Sequence, residues 1–525
     1  MNPSPGKRPD EFPADNEPLG GRRCTPKAII NVSSGFPRLS RNPAPEAGQV
    51  QSHNKLGKPA RSRMEPWDVT IVGGGVLGTS IAYWLAQQYD GRIAVLEKEV
   101  DVAAHTSRRN TGVVHRPFYL DPVGRKVFAR CAQVAYGMWK AYAASRGLPW
   151  LEISTFEVAL REEDQGRLEK YRQWGLANGM REDELELLTP SDVRRYEPNV
   201  RCHGAIWSKT DTAVDYREFT QSVRDDAEAA GAKFLLGSEV ASVDVAGDLL
   251  EVRLAAPEEE RVYIDPRRKI SVRVGRGQEP HRTRYLINCA GGNSIDIAHR
   301  LGVGREYTDL HFRGEYWEID PAHHYLSSRN IYTVPRHPEL PFLDPHWIVR
   351  ADGRREIGPN AVPVSGPYTY RGFFDGPKEL SKKLLEVPLR NKLRLLVNPD
   401  FVALAAEEGA SSVSKRVMAK RAQEFLPSLR VDYLVRPGTA GVRASVVDRS
   451  GNFVKEAIEL PGPHSYHITN YNSPGATGAP AFAAWTVQRL ARAGHLDHLK
   501  AKAAKPGGLW DFERITEAIE APAAS

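Results

Sequence analysis

Asp68-Val69-Thr70-Ile71-Val72-Gly73-Gly74-Gly75-Val76-Leu77-Gly78 is the stretch that decides the fold. Its first five residues, mostly β-branched, read as a short buried strand that runs into a glycine turn. Val76 to Gln88 then reads as a helix. In the spacing Gly73-x-Gly75-x-x-Gly78 the first glycine makes the turn and the second lets the backbone approach a pyrophosphate. The third lets helix and strand pack closely. The helix start offers unpaired N–H groups and a positive dipole end to phosphates. Arg92 to Leu96 reads as a second buried strand, and Glu97 at its tip can accept hydrogen bonds from a ribose 2′-OH and 3′-OH. Strand, helix, strand and acid together predict a dinucleotide site. A glycine-rich turn in an unrelated sheet would leave Glu97 without a role.

Three further segments choose between nucleotides. His105-Thr106-Ser107-Arg108-Arg109-Asn110-Thr111-Gly112 is polar and small just past the second strand, suited to run along the rest of an extended cofactor. Tyr285 to Cys289 is an apolar strand followed by Ala290, Gly291 and Gly292, where backbone can pass close to the same ligand. Ser473-Pro474-Gly475-Ala476-Thr477-Gly478 opens an apolar helix from Ala479 to Ala491, whose N-terminus can support negative charge developing on a flavin. These separated contacts suit FAD better than NAD. The cofactor-binding residues are therefore expected to be Gly73, Gly75, Gly78, Glu97, His105, Asn110, Gly112, Ala290, Gly291, Gly475, Ala476 and Thr477.

The bulk composition excludes several classes. The net charge of +7 suggests nucleic acid only until it is located: residues 1–63 hold eleven Lys/Arg against five Asp/Glu, which leaves the remainder close to balance. No nucleic-acid partner is implied. That first segment also carries ten prolines and six glycines with no sustained period, and is expected to be a disordered, dispensable tail. It lacks the apolar run of a signal peptide, and Met64 before the first strand fits an overextended gene start. The four cysteines, Cys24, Cys131, Cys202 and Cys289, form no CxxC pair, so neither a zinc site nor a disulfide framework is expected and no metal is assigned. A reducing cytoplasmic compartment follows, with peripheral contact at the inner membrane face as the alternative, since no apolar run is long enough to span a bilayer.

Residues 122–147, 162–179 and 216–230 carry helical periodicity, and 237–287 alternates like antiparallel strands around a charged hairpin with Arg267, Arg268, Lys269, Arg273 and Arg276. The fold class is α/β (α+β overall). A Rossmann-like FAD domain from 64–115, 206–304 and 436–500 is interleaved with an antiparallel-sheet substrate domain from 116–205 and 305–435, and 501–525 is a C-terminal tail.

Asn110-Thr111-Gly112-Val113-Val114-His115 is similar to a stretch of the L-2-hydroxyglutarate dehydrogenases and oxidases, in the D-amino-acid-oxidase-like superfamily. So are Phe312-Arg313-Gly314-Glu315-Tyr316, Asn330 to Pro335, Leu340 to Leu343, Ile357 to Val362 and Arg436 to Ala444. The resemblance runs from about Asp68 to Arg492. It implies non-covalent FAD and oxidation of L-2-hydroxyglutarate to 2-oxoglutarate, with a quinone or oxygen as electron acceptor. One departure stands out: Arg116-Pro117-Phe118-Tyr119-Leu120 replaces the small residues and tyrosine pair that follow in the family, which is expected to change shape and charge near the substrate.

Oxidising an alcohol beside a carboxylate needs a base for the hydroxyl proton and a clamp for the small carboxylate substrate. Histidine suits the first because its pKa lies near neutrality, which nominates His115. Arginine suits the second because its planar fork meets a carboxylate bidentately. Arg443 is the first choice and Arg313 the second. Lys420 matches a family lysine that could meet a distal carboxylate, and Tyr332 and Asn360 rank low. His323, His324, His337 and His346 have no metal-ligand spacing and are expected on the surface or in loops. Two rivals share the site: an amine or amino-acid oxidase, kept open by Arg116-Pro117, and a flavin-binding scaffold without turnover.

Overall fold

The structure is a computed structural model, and it describes residues 65–255, 261–265, 270–274, 281–336, 344–374, 376, 381, 388–396, 399–503 and 508–521. The expected N-terminal tail, Met64, the hairpin residues Arg267, Arg268, Lys269 and Arg276, His337 and the Leu340–Leu343 motif lie outside the described residues.

The chain opens as expected with β1 (Trp67–Val72), α1 (Val76–Gln88) and β2 (Ile93–Glu97). There follow α2 (Lys126–Arg146), β3 (Thr155–Ala159), β4 (Leu185–Leu188), β5 (Gly204–Ser208), α3 (Tyr216–Ala229) and β6 (Lys233–Leu236). Next come β7 (Val240–Ala246), β8 (Leu249–Leu254), β9 (His281–Asn288), β10 (Thr308–Ile319), β11 (Asn330–Thr333), β12 (His346–Val349), β13 (Arg355–Gly358) and β14 (Val362–Val364). The last elements used below are β15 (Leu434–Val447), β16 (Ile458–Gly462), β17 (Ser465–Thr469) and α4 (Gly475–Arg492).

The first sheet runs β6-β2-β1-β9-β8-β7, with β17 also on β9 and β16 on β17. β6, β2, β1, β9 and β17 are parallel, and the register sets Val72 beside Leu96 and Asn288. Their C-terminal ends therefore share one edge, the place where open α/β sheets bind ligands. α1 is buried along nearly its whole length, because α3 and α4 cover the faces the sheet leaves open. At Gly78 a Cβ would collide with Gly73 O and approach Ile71. That contact is the close helix–strand packing the third glycine was expected to provide.

The second sheet runs β14-β10-β13-β12-β11-β3-β5-β4, with β15 paired along β10. Its strands alternate between a core below and a cavity above. Phe156 and Val158 of β3 enter the core with Trp347 of β12 and Ile331 of β11.

The expected domain boundaries shift in four places. α2 packs on α4 and places Cys131, Trp139 and Tyr142 in the core beneath the first sheet, so it is not part of the substrate layer. β15, expected in the FAD domain, is the longest partner of β10 in the second sheet, and residues 206–208 belong there too, in β5. The C-terminal stretch is not a tail throughout: the helix Phe512–Glu520 packs against α2 and α4 through Ile515 and Ile519, with Trp510 alongside. Periodicity identified α2 and α4 but not the helix Phe512–Glu520, and it carries no information on which layer each one covers.

Gly78→Ala is expected to destabilise the protein by about 1–3 kcal/mol, the usual cost of overpacking, because the obstructing atom is backbone. A thermal melt of the variant reads this as a clear fall in midpoint; an unchanged midpoint would mean the helix can move off the strand freely.

Candidate active site

Between the two sheets lies a cavity of about 770 Å³, large on the scale of ligand pockets of roughly 300–1,000 Å³. At its nucleotide end Gly73 has φ +105°, and a Cβ there would meet Cys289 O at 2.5 Å. Gly75 precedes α1 without a side-chain cap, and Val76 N bonds Ser107 Oγ at 3.0 Å. Glu97 is buried at the edge of the sheet. Its Oε2 accepts from Gly74 N at 2.7 Å and its Oε1 from Glu99 N at 2.8 Å. Burial raises its pKa, and the two backbone donors oppose the shift.

His105 is held on both ring nitrogens, by Glu99 Oε1 at 2.8 Å and Tyr370 Oη at 2.8 Å, with Tyr368 packed against its ring. That contact, with help from Lys98, brings the Glu99 carboxyl down to about 2 against the cost of burial. Asn110 staples its own turn: its side chain donates to Thr106 O and Ser107 O and accepts from Gly112 N at 2.8 Å. Gly112 lies behind the cavity wall at φ +72°, where a Cβ would meet Val214 O. Ala290 and Gly291 follow β9 on the wall, with Ala290 N bonded to Asn288 Oδ1 at 3.1 Å. Gly475, Ala476 and Thr477 begin α4 on the opposite wall, and its N-cap residue Pro474 provides no side-chain bond.

A second group of polar residues on the cavity wall is built around His115. His115 Nδ1 lies 3.5 Å from Asp211 Oδ2, and Asp211 is fully buried. Three donors hold that carboxylate: Arg116 N (3.1 Å) and Ser208 Oγ (2.7 Å) on Oδ1, and Thr155 Oγ1 (2.9 Å) on Oδ2. His115 N donates to Thr477 Oγ1 at 3.1 Å, and Tyr216 Oη lies 3.0 Å from the same oxygen. Tyr119 and Tyr332 present edges to the imidazole at centroid distances of 6.0 and 5.7 Å. Tyr332 stacks in turn on His346 at 4.2 Å. Arg443 on β15 lines the same cavity, and burial pulls its pKa below the usual guanidinium value.

Several expectations change here. Arg313 is absent from the cavity wall: it bonds Glu315 Oε1 at 2.9 Å, Thr369 O at 3.1 Å and Gly372 O, so it anchors the 366–372 loop. Lys420 sits exposed on the helix Lys415–Ala422, also off the wall. Arg116 adds no charge to the cavity, because Glu184 accepts from both of its terminal nitrogens at 2.8 and 3.1 Å and its guanidinium packs over Tyr136. Tyr119 is the part of the Arg116–Leu120 departure that matters for the wall, together with Phe118. His346 is neither surface nor loop but a buried strand residue, and burial lowers its pKa to about 3. Asn360 lines the wall while bonding Glu315.

Asp211 and Glu157 went unnoticed in the sequence. Neither sits in a motif, and only strand alternation at Phe156 and Val158 hints that Glu157 faces away from the core. Burial, then Asp211, push the Glu157 carboxyl up to about 8.

The wall fits an extended nucleotide–flavin. Two helix starts without side-chain caps face it, Gly73 leaves no room for a side chain, and buried His346 Nε2 has no hydrogen-bond partner. Among the described residues no group of three His, Cys, Asp or Glu could hold a metal ion, and no helix is long and apolar enough to cross a membrane.

Fold and site together define a flavin-dependent oxidoreductase. The chain belongs to the FAD dependent oxidoreductase (DAO) family, whose model matches residues 68–489. It is 30% identical to the mitochondrial L-2-hydroxyglutarate dehydrogenase of Homo sapiens over 79% of this chain and 87% of that protein. To the L-2-hydroxyglutarate dehydrogenase of Escherichia coli (strain K12) it is 27% identical, over 87% of this chain and 99% of that one. Among solved structures it resembles the FAD-bound L-alpha-glycerophosphate oxidase of Mycoplasma pneumoniae, with TM-score 0.62 and 20% identity over 84% of this chain and 98% of that one. Glycine oxidase from Geobacillus kaustophilus follows, at TM-score 0.58 and 16% identity over 85% of this chain and 100% of that one. At those identities the structures speak for the fold alone.

Glu97→Ala is expected to weaken FAD binding about 10–100-fold, the scale of losing a hydrogen bond to a charged group, read by titrating FAD into apoprotein. A second outcome follows from Glu157. A carboxyl raised from about 4.5 to about 8 on folding binds more protons folded than unfolded, so stability falls as pH rises through that window. Glu157→Gln should flatten this slope in holoprotein melts between pH 5 and 8; an identical slope would show that the group does not titrate there.

Proposed function

We propose that the protein oxidises an L-2-hydroxy acid to the 2-oxo acid, with L-2-hydroxyglutarate or a close relative as substrate. The observation that carries this reading is the pairing of His115 and Asp211 in one cavity with Arg443. FAD, when bound, supplies the two-electron acceptor that takes the C2 hydrogen as hydride. The chain provides the rest. His115 accepts the hydroxyl proton, and the anchored Asp211 carboxylate orients the imidazole and stabilises its cationic form. Arg443 clamps the substrate carboxylate. Tyr119 and Tyr332 exclude water from the imidazole. The similarity to L-2-hydroxyglutarate dehydrogenases of Homo sapiens and Escherichia coli supports the same substrate.

The amine-oxidase rival loses its main motive, since Arg116 is turned away onto Glu184. The electron acceptor would be a quinone or oxygen, and peroxide release under air would distinguish them. Contact with a membrane face belongs to the quinone alternative.

Purified holoprotein should lose its oxidised-flavin absorbance anaerobically with L-2-hydroxy acids and not with their D-enantiomers or with amino acids. His115→Asn should lower kcat about 10²–10⁴-fold, the usual scale of general-base catalysis. Arg443→Lys should act chiefly on KM. Bleaching by amino acids alone would replace the reading with an amine oxidase, and none by any substrate would favour a scaffold.

A further inference from the structure

The loop 365–372 leaves the second sheet after β14 and reaches the nucleotide end of the cavity, where Gly366, Pro367 and Tyr368 line the wall. It is closed on itself. Ser365 N donates to Phe373 O at 3.0 Å, and Thr369 Oγ1 accepts from Gly366 N at 3.1 Å. Arg313 of β10 ties it down by donating to Thr369 O at 3.1 Å and to Gly372 O. A planar fork that would suit a carboxylate is thus committed to holding this loop in one shape.

Two tyrosines of the loop meet the segment that follows β2. Lys98 Nζ lies 3.8 Å from the ring centroid of Tyr368, and the His105 ring lies 4.3 Å from it. Tyr370 Oη lies 2.8 Å from His105 Nδ1, and the Arg109 guanidinium sits 4.0 Å from the Tyr370 ring. The same loop also meets the turn Gly291–Asn293 after β9. Tyr368 Oη accepts from Asn293 Nδ2 at 2.5 Å, and a Cβ at Gly292 would come within 2.5 Å of the Pro367 Cβ. In the first sheet β1 lies between β2 and β9. A loop that touches the ends of both neighbours therefore straddles the end of β1, where Gly73 and Gly75 line the cavity.

Tyr368 keeps a donor in reserve. Its oxygen accepts from Asn293, and among the described residues nothing accepts its own O–H proton. Burial pushes the phenol well above its ordinary pKa, so that proton stays in place. A hydroxyl with a proton to give, beside a lysine ammonium, suits the phosphate oxygens of a dinucleotide.

We propose that Tyr368 is a cofactor-binding residue, and that loop 365–372 is a clasp closed over the ribose–pyrophosphate stretch of FAD that sets how fast FAD leaves the protein. Arg313 is a positioning residue that acts through the backbone of the clasp. The second sheet, which carries Arg443, thereby also contributes to holding the cofactor.

The test is the exchange of bound FAD in holoprotein against an excess of isotopically labelled FAD, with the melting midpoints of apoprotein and holoprotein measured alongside. Tyr368→Ala should speed exchange by about 10-fold or more, the combined scale of a lost cation–π contact and a lost hydrogen bond. Tyr368→Phe keeps the ring beside Lys98 and should speed it by a smaller factor. Gly292→Ala pushes Pro367 outward and should also speed exchange. Combined with Tyr368→Ala it should add little, because both open the same clasp. Arg313→Lys loses the fork that reaches two carbonyls and should act in the same direction. Tyr368→Ala should lower the holoprotein midpoint more than the apoprotein midpoint, since a contact with FAD stabilises only the loaded protein. Equal falls in the two midpoints with exchange unchanged would assign Tyr368 a purely structural role and overturn the inference. Should Tyr368→Ala fail to fold, Tyr368→Phe and Gly292→Ala decide, and wild-type exchange rates in both overturn it.

Discussion

The carboxyl group of Asp211 is the point on which the polar groups around His115 hang. It is fully buried and collects bonds from Arg116 N, Thr155 Oγ1 and Ser208 Oγ, while its backbone carbonyl accepts from Ile153 N and Ser154 N. A carboxyl group at such depth is tolerated only when its lone pairs are filled, and here donors from three separate chain segments fill them. The outcome is that β3, β5 and the segment entering His115 are fixed relative to one another. The imidazole inherits its orientation from that knot, since Nδ1 faces Oδ2 while Nε2 is left towards Thr111 and the cavity.

The nucleotide end rests on a different kind of constraint, the near-absence of side-chain volume. Gly73 and Gly78 bring backbone against backbone where β1 turns into α1, and the Gly74 amide is thereby delivered to Glu97. One end of the cavity is thus shaped by what glycine omits and the other by what a buried acid demands. The Gly73 end presents bare backbone to the cavity, and the Asp211 end presents an imidazole held in place.

The two ends were unequally legible in the sequence. The nucleotide end could be read because its determinants are local: Gly73, Gly75, Gly78 and Glu97 lie within one strand–helix–strand unit, and the expected bounds of α1 coincide with the observed ones. His115 could be nominated because it follows the same unit. Asp211 and Glu157 could not, since they come to the same cavity as His115 only through pairing of β3, β5 and β11, which no single-chain pattern encodes. Arg313 and Lys420 illustrate the converse. Their residue types suit anion binding, but Arg313 is used to hold a loop and Lys420 faces solvent. Arg116 shows that a charged substitution beside a site need not enter it when a buried partner such as Glu184 waits behind the wall.

Thr477 joins the two ends. It begins α4 on the cavity wall, yet its hydroxyl oxygen also accepts the backbone N–H of His115 and meets Tyr216 Oη. Anything that orders the start of α4 therefore also orders the backbone at His115. Occupancy of one place and geometry of the other become a single equilibrium, and linkage makes the influence reciprocal. A ligand that tightens around His115 must raise the affinity of the protein for its cofactor by the same factor that the cofactor raises the affinity for the ligand.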